Sequence, residues 1–316
     1  MKVLVTGAAG FIGSHLCEAL LEKGHSVTGV DSFDPYYARE IKEKNLRKSL
    51  DENAFHFVEM DLGEPAATSA LISQGWDCVV HLAGRGGVRR SIEEPGAYVR
   101  NNYVATFNIL ESMKDSGVDK LVFASTSSVY GNRRNGPFNE SDSTDWPVSP
   151  YSATKKGCEV LCHTYHHLYG INSYVLRFFT VFGPRQRPDM AIHKFVDAIV
   201  RREPIERFGD GTTVRDYTYV ADIVAGVIRA AERVEGYEII NIGGAQRTAL
   251  SRLISILEEQ LGEAAVIVEK PIPAGDVMQT FADTGKAKRL LDFSAKVSIE
   301  DGLKAFIQWY REEQIP

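Results

Sequence analysis

The fold is decided by the opening stretch Lys2-Val-Leu-Val-Thr-Gly7-Ala-Ala-Gly10-Phe-Ile-Gly13-Ser-His-Leu16. Residues 2–6 are a short apolar run with no polar alternation, as expected for a strand buried on both faces. Gly7, Gly10 and Gly13 follow at three-residue spacing, and a helical pattern then runs to about Lys23, where Gly24 ends it. Strand, glycine turn and helix in this order suit a dinucleotide pyrophosphate. The first glycine allows the tight turn, the second lets the backbone approach the phosphates, and the third lets the helix pack on the sheet. Phe11 and Ile12 complete the turn. Asp31 lies 18 residues past Gly13, at the end of a second apolar run, Val27–Asp31. A carboxylate there accepts bonds from both ribose hydroxyls and repels a 2′-phosphate, so NAD is expected over NADP.

Working outward, apolar runs recur at 55–60, 77–82, 120–125 and 172–178, separated by helical stretches, notably 96–115 and 151–169. This alternation implies right-handed βαβ units, and hence an α/β, Rossmann-like, doubly wound parallel sheet. After about residue 180 the texture changes to turns and short elements. The expected division is a NAD-binding part, 1–178, and a smaller C-terminal substrate-binding region, 179–316, interleaved with it. Asp61 and Leu62, after the third strand, are candidate contacts for the adenine.

The second decisive stretch is Tyr151-Ser-Ala-Thr-Lys155, which sets a phenol and an ammonium on one face of a helix. A cation beside a tyrosine favours the phenolate, so the phenol is expected to accept a proton near neutral pH. A dinucleotide and a tyrosine base together are the equipment for moving a hydride to or from an alcohol carbon.

Bulk properties narrow the field. The 316 residues carry a net charge of −6, and no basic tract speaks for nucleic acid. The stretch Arg39–Lys48 interleaves Lys and Arg with Glu40 and Glu43 and reads as a solvated helix face. Cys17, Cys78, Cys158 and Cys162 form no CxxC pair, no metal-ligand set is evident, and a reducing compartment is the natural reading. The glycine turn comes too early to leave room for a signal peptide, and no apolar run reaches 18 residues. A cytoplasmic protein without membrane partners is expected.

Taken together, the motifs TGAAGFIGSHL (6–16), HLAG (81–84), NNYVATFNILE (101–111), STSSVYG (125–131), YSATK (151–155), RFFTVFGPRQRPDM (177–190) and GDGTTVRDYTYVADIV (209–224) resemble the extended short-chain dehydrogenase/reductase family, in its nucleotide-sugar epimerase and dehydratase branch. The resemblance runs from Met1 to about Ala305. It implies bound NAD, a nucleotide-sugar substrate and a homodimer built on two long helices per subunit. It assigns Tyr151 as the base at the sugar hydroxyl, Lys155 to the nicotinamide ribose and to holding the Tyr151 pKa down, and Thr126 to the reacting oxygen. Asn102 falls at a position near the cofactor, Arg215 at one that reaches the diphosphate, and Asp276 at one near the uridine ribose. Arg85 stands where the family more often has an apolar residue.

The resemblance also sorts the chemistry. Dehydratases of the branch carry Asp-Glu before the Val-Tyr-Gly, where this chain has Ser127 and Ser128, and a 4,6-dehydratase needs that second acid/base pair. Decarboxylases carry a glutamate where Ser128 stands. Epimerisation needs neither, and small serines leave room for the sugar to turn. Thr180 with Arg187-Pro-Asp-Met190 is similar to the uronate-using members. A hydroxyl and an arginine fork match a planar C6 carboxylate and would hold it out of alignment for loss of CO2. Arg89 is a further candidate at the sugar. The expected activity is NAD-dependent 4-epimerisation of UDP-glucuronate to UDP-galacturonate, an isomerase reaction through a 4-keto sugar. The alternatives are 4-epimerisation of UDP-glucose or TDP-glucose and, in a different class, a non-catalytic NAD-sensing protein.

Overall fold

A computed structural model describes every residue except Arg134, Ala274, Ile315 and Pro316. Twelve strands occur among the described residues: β1 Lys2–Thr6, β2 Ser26–Asp31, β3 Phe55–Glu59, β4 Cys78–His81, β5 Lys120–Thr126, β6 Asn172–Phe178, β7 Thr180–Phe182, β8 Ile205–Phe208, β9 Val214–Tyr219, β10 Tyr237–Ile242, β11 Arg247–Ala249 and β12 Ile267–Lys270. Seven form one sheet in the order β10-β6-β5-β4-β1-β2-β3, with every pairing parallel. Helices cover both faces, which gives the expected doubly wound α/β fold.

Burial on both sides explains the unbroken apolar runs. Val3 and Val5 pack on one face with Leu16, Cys17, Leu20, Val224 and Val227. Leu4 packs on the other with Val79, Leu121, Ile109, Leu110, Cys158 and Cys162. All four cysteines are free and buried. A third cluster holds the C-terminal helices around Phe182, Phe195, Leu253, Leu303 and Phe306.

Strand order reverses between β1 and β4, and a doubly wound sheet opens a crevice at such a point, beyond the carboxyl ends of its strands. The glycine turn after β1 and the loop after β4 flank that crevice. The segment beyond residue 178 contributes β10 to the large sheet and two small sheets, β11-β9-β7 and β12-β8. Among the described residues no helix is long and apolar enough to cross a membrane.

Candidate active site

A cleft of about 1040 Å³ lies at the crevice. At one end it is lined by Gly7, Gly10, Phe11, Ile12, Gly13, Asp31, Asp61 and Leu62. The helix Phe11–Glu22 starts at Gly10 with no side-chain cap, so its first N–H groups are free for an anion. Gly7 has φ +72°, and a Cβ on Gly13 would stand 2.0 Å from the Gly7 carbonyl oxygen. That is contact only a glycine permits. Asp31 accepts from the Ala9 N–H (3.2 Å) and the Phe33 N–H (2.9 Å), and burial raises its pKa against the pull of Lys42. These residues fit a dinucleotide: a bare helix terminus for pyrophosphate and an oriented carboxylate for ribose.

Lys42 was not foreseen. The helix Arg39–Leu50 forms, but it is not solvated all round: Lys42, Asn45, Leu46 and Ser49 are buried at helical spacing. The Lys42 ammonium lies 3.8 Å from Asp31 and donates to the Asp34 carbonyl at 2.8 Å, while Asn45 donates to the Ala9 carbonyl. The polar residues turn inward because they tie the loop after β2 to the glycine turn.

The reacting groups come from two elements. β5 delivers Thr126 at its end, where its hydroxyl accepts from the Ser128 N–H at 3.1 Å and opens the short turn Ser127–Tyr130. The helix Pro150–Tyr169 begins in a Ser149/Ser152 capping box with proline in its first turn, which brings Tyr151 to the cleft beside Lys155. Tyr151 has Thr126 as a hydrogen-bond partner and meets the Tyr98 ring edge-on at 6.1 Å. Burial pushes the Tyr151 phenol up, opposed by Thr126 and by the charge of Arg187. The expected lowering by Lys155 is not what sets this group here. The buried Lys155 ammonium sits over the Phe123 ring at 4.1 Å, and burial lowers its own pKa. Desolvation of the phenol outweighs its neighbours here.

At the far end the lining includes Ser127, Ser128, Thr180, Arg187, Asp189, Arg89, Phe208 and Asp276. Arg89 pairs with Asp276 at 2.8 Å and stacks on Phe208 at 3.9 Å. Arg187 is not a free fork: Nε and Nη2 donate to the two Asp189 oxygens, each at 2.8 Å. Two further expected residues lie outside the lining of the cleft. Asn102 does not line the cleft. Its amide is spent on the loop after β4, accepting from the Arg85 N–H (2.8 Å) and donating to the Arg85 carbonyl (3.1 Å) and Thr154 (3.2 Å). Arg215, on β9, also stands outside the lining and donates to the Val214 carbonyl. Arg85, read as an oddity, is tied by its guanidinium to Asp34 and Glu94. Tyr36 was missed; no local signal marks a loop tyrosine that crosses to Gly86.

This cleft, with its dinucleotide cradle and a buried Thr/Tyr/Lys set, defines an NAD-linked sugar-modifying enzyme class. The chain belongs to the NAD dependent epimerase/dehydratase family, which it matches over residues 3–243. It is 45% identical to a UDP-glucuronate 4-epimerase of Thermodesulfobacterium geofontis, over 98% of this chain and 96% of that protein. It superposes with a TM-score of 0.95 on the UDP-glucuronic acid 4-epimerase of Bacillus cereus solved with UDP-glucuronic acid and NAD, 40% identical and covering 99% and 100% of the two chains. A UDP-glucose 4-epimerase of Thermotoga maritima is more distant, with a TM-score of 0.91, 33% identity and 99% coverage of both chains.

Proposed function

We infer that this chain is an NAD-dependent isomerase that interconverts UDP-glucuronate and UDP-galacturonate by epimerisation at C4. The observation that carries the reading is the composition of the cleft around Tyr151. Thr126, Ser127 and Ser128 supply hydroxyls and no acid at the end of β5, while Thr180 and Arg187, beyond β6, line the same cleft. A dehydratase needs an additional proton donor and acceptor there, and a 4-epimerase does not. The similarity to uronate-using relatives over nearly the whole chain supports the same reading.

The glycine turn and Asp31 would hold NAD, which would supply the hydride acceptor when bound. Tyr151 takes the C4 hydroxyl proton, and Thr126 hydrogen-bonds the same oxygen. Lys155 stands one helical turn along for the nicotinamide ribose. The hydroxyls of Ser127, Ser128 and Thr180 and the Arg187 guanidinium read the C6 carboxylate, and the small serines leave the ketone room to turn over. Arg89, Phe208 and Asp276 are the candidate contacts of the nucleotide. Residues 1–178 form the cofactor-binding part and 179–316 the substrate-binding region in this reading.

The reading extends to assembly and place. Val99, Tyr103 and Phe107 expose an apolar stripe at four-residue spacing, and Val160, Leu168 and Tyr169 are exposed on the helix packed against it. Two such helices per subunit would bury this surface in a homodimer. Four buried free thiols suit a reducing cytoplasm.

Incubation with UDP-glucuronate, UDP-glucose and TDP-glucose, followed by product identification by NMR, tests the assignment. UDP-galacturonate as the dominant product is expected. Turnover confined to the neutral sugars would overturn it.

A further inference from the structure

We propose that Asp189 is a positioning and specificity-setting residue, which holds one edge of the Arg187 fork so that a single nitrogen of the guanidinium is left for the C6 carboxylate. The proposal deepens the uronate reading above and rests on it for its substrate.

The geometry is specific. Asp189 engages Nε and Nη2, each at 2.8 Å, in the side-on arrangement an arginine otherwise offers to a ligand carboxylate. The remaining nitrogen, Nη1, turns toward the loop after β4, where a Cβ on Gly86 would lie 2.9 Å from it. That loop is itself pinned. Tyr36 and Tyr98 both donate to the Gly86 carbonyl, at 2.7 and 3.0 Å. Tyr36 also reaches Asp189 at 3.4 Å and carries the Arg187 guanidinium over its ring at 5.1 Å. Arg187 is therefore held along one edge by Asp189 and on one face by Tyr36, and Nη1 is the end left over. Burial opposes ionisation of Asp189, but the Arg187 fork outweighs it and holds the carboxyl below its usual range. The pair is charged on both sides at neutral pH and close to neutral as a unit.

This arrangement answers a demand of the reaction. The sugar must be held by its carboxylate in two orientations and be released between them. A free arginine fork would bind the first orientation tightly and add a barrier to turning, which lowers KM without raising kcat. An arginine already satisfied by Asp189 attracts a carboxylate weakly enough to let it move. The same arginine bears on Tyr151, where burial raises the phenol and the Thr126 hydrogen bond and the Arg187 charge oppose it. The charged and titratable groups around that phenol are Arg187 with its partner Asp189, Tyr36 and Tyr98 from neighbouring loops and helices, and Lys155 on its own helix.

Asp189→Asn keeps an acceptor for Arg187 and removes the charge. We expect KM for UDP-glucuronate to fall threefold or more relative to KM for UDP-glucose, kcat on UDP-glucuronate to fall more than kcat on UDP-glucose, and the acidic limb of kcat/KM to move down by about half a unit as uncompensated positive charge favours the phenolate. A double variant with Arg187→Ala should behave as Arg187→Ala alone, because Asp189 acts through Arg187. An unmoved KM ratio with an unmoved acidic limb, or losses that add in the double variant, would overturn the proposal. The pH measurement can be made on whichever sugar the enzyme accepts. A failure of the uronate reading would show in the wild-type products, and a failure of the Asp189 proposal in the variant's pH profile.

Discussion

The two ends of the cleft are built in different ways. The cofactor end is one continuous piece of chain, in which β1, the glycine turn and the first helix follow within residues 2–22, and β2 adds Asp31. Its fit depends on backbone against backbone, as in the approach of Gly13 to the Gly7 carbonyl. The end proposed for the sugar is assembled from side chains far apart in sequence: Tyr36 and Gly86, Arg89 and Asp276, Ser128 and Thr180, Arg187 against the loop after β4. A backbone cradle suits a ligand recognised by its phosphates, with little for a side chain to change. A mosaic of side chains is where substrate choice is written, since each can change without disturbing the sheet.

The largest expected effect belongs to the junction of the two ends. Tyr151→Phe removes the phenol but neither the cradle nor the sugar contacts. Turnover should drop about 10²–10⁴-fold or more while NAD and nucleotide sugar still bind. Steady-state rates with a binding assay on the same preparation check this, and activity within about tenfold of wild type would show that the proton leaves by another route.

Next comes the cofactor end. Asp31 beside a 2′-phosphate is a like-charge contact that costs several kcal/mol, so reconstitution with NAD should exceed that with NADP by about 10² or more. Asp31→Asn should narrow the gap sharply, because Lys42, 3.8 Å from Asp31, stays behind to meet the phosphate. Equal reconstitution of the wild type by both cofactors would place the ribose elsewhere.

These two sites also show what could be read beforehand. That the glycine turn, Asp31, Thr126, Tyr151 and Lys155 share one cleft was legible because their placement depends on local geometry: a turn, a strand end, one helical face. The same locality misled where the environment decides. The Tyr151–Lys155 spacing predicts a lowered phenol pKa, yet burial dominates and the ammonium rests on Phe123. Asn102 sits at the expected place but spends its amide on pinning the loop after β4. Lys42 was hidden in a charged run whose burial depends on what the helix packs against. The Arg187–Asp189 pair is adjacent in sequence, but two residues' spacing in a loop does not say that one will occupy the other's fork.

At the sugar end, Arg187→Ala should damage use of UDP-glucuronate selectively. With two of its nitrogens held by Asp189, Arg187 offers one charge-assisted contact, about 1.5–3 kcal/mol, or roughly 10- to 150-fold in kcat/KM. UDP-glucose, which shares everything but the C6 group, should suffer less. A larger share of UDP-pentose should appear by NMR, since a loosened carboxylate reaches the alignment for CO2 loss. Equal losses on both sugars without pentose would move Arg187 to the diphosphate.

The smallest effect tests the contrast itself. Gly86→Ala places a methyl group 2.9 Å from Arg187 Nη1, the mobile end of a side chain, whereas a methyl on Gly13 would meet backbone at 2.0 Å. Side-chain ends yield where backbone does not, so the cost at Gly86 should be about 1 kcal/mol, a change in KM for UDP-glucuronate of about fivefold. NAD affinity, measured by titration of the apo-enzyme, should not move, because the cradle at Gly7, Gly10 and Gly13 makes no use of Gly86's open face. The loop after β4 does border both ends, and Asn102 grips it through the backbone of Arg85, one residue away. If Gly86→Ala weakened NAD as much as the uronate, the loop would be transmitting strain between the two ends. The sugar end would then not be an independent mosaic, and substitutions there would be expected to register in cofactor binding as well.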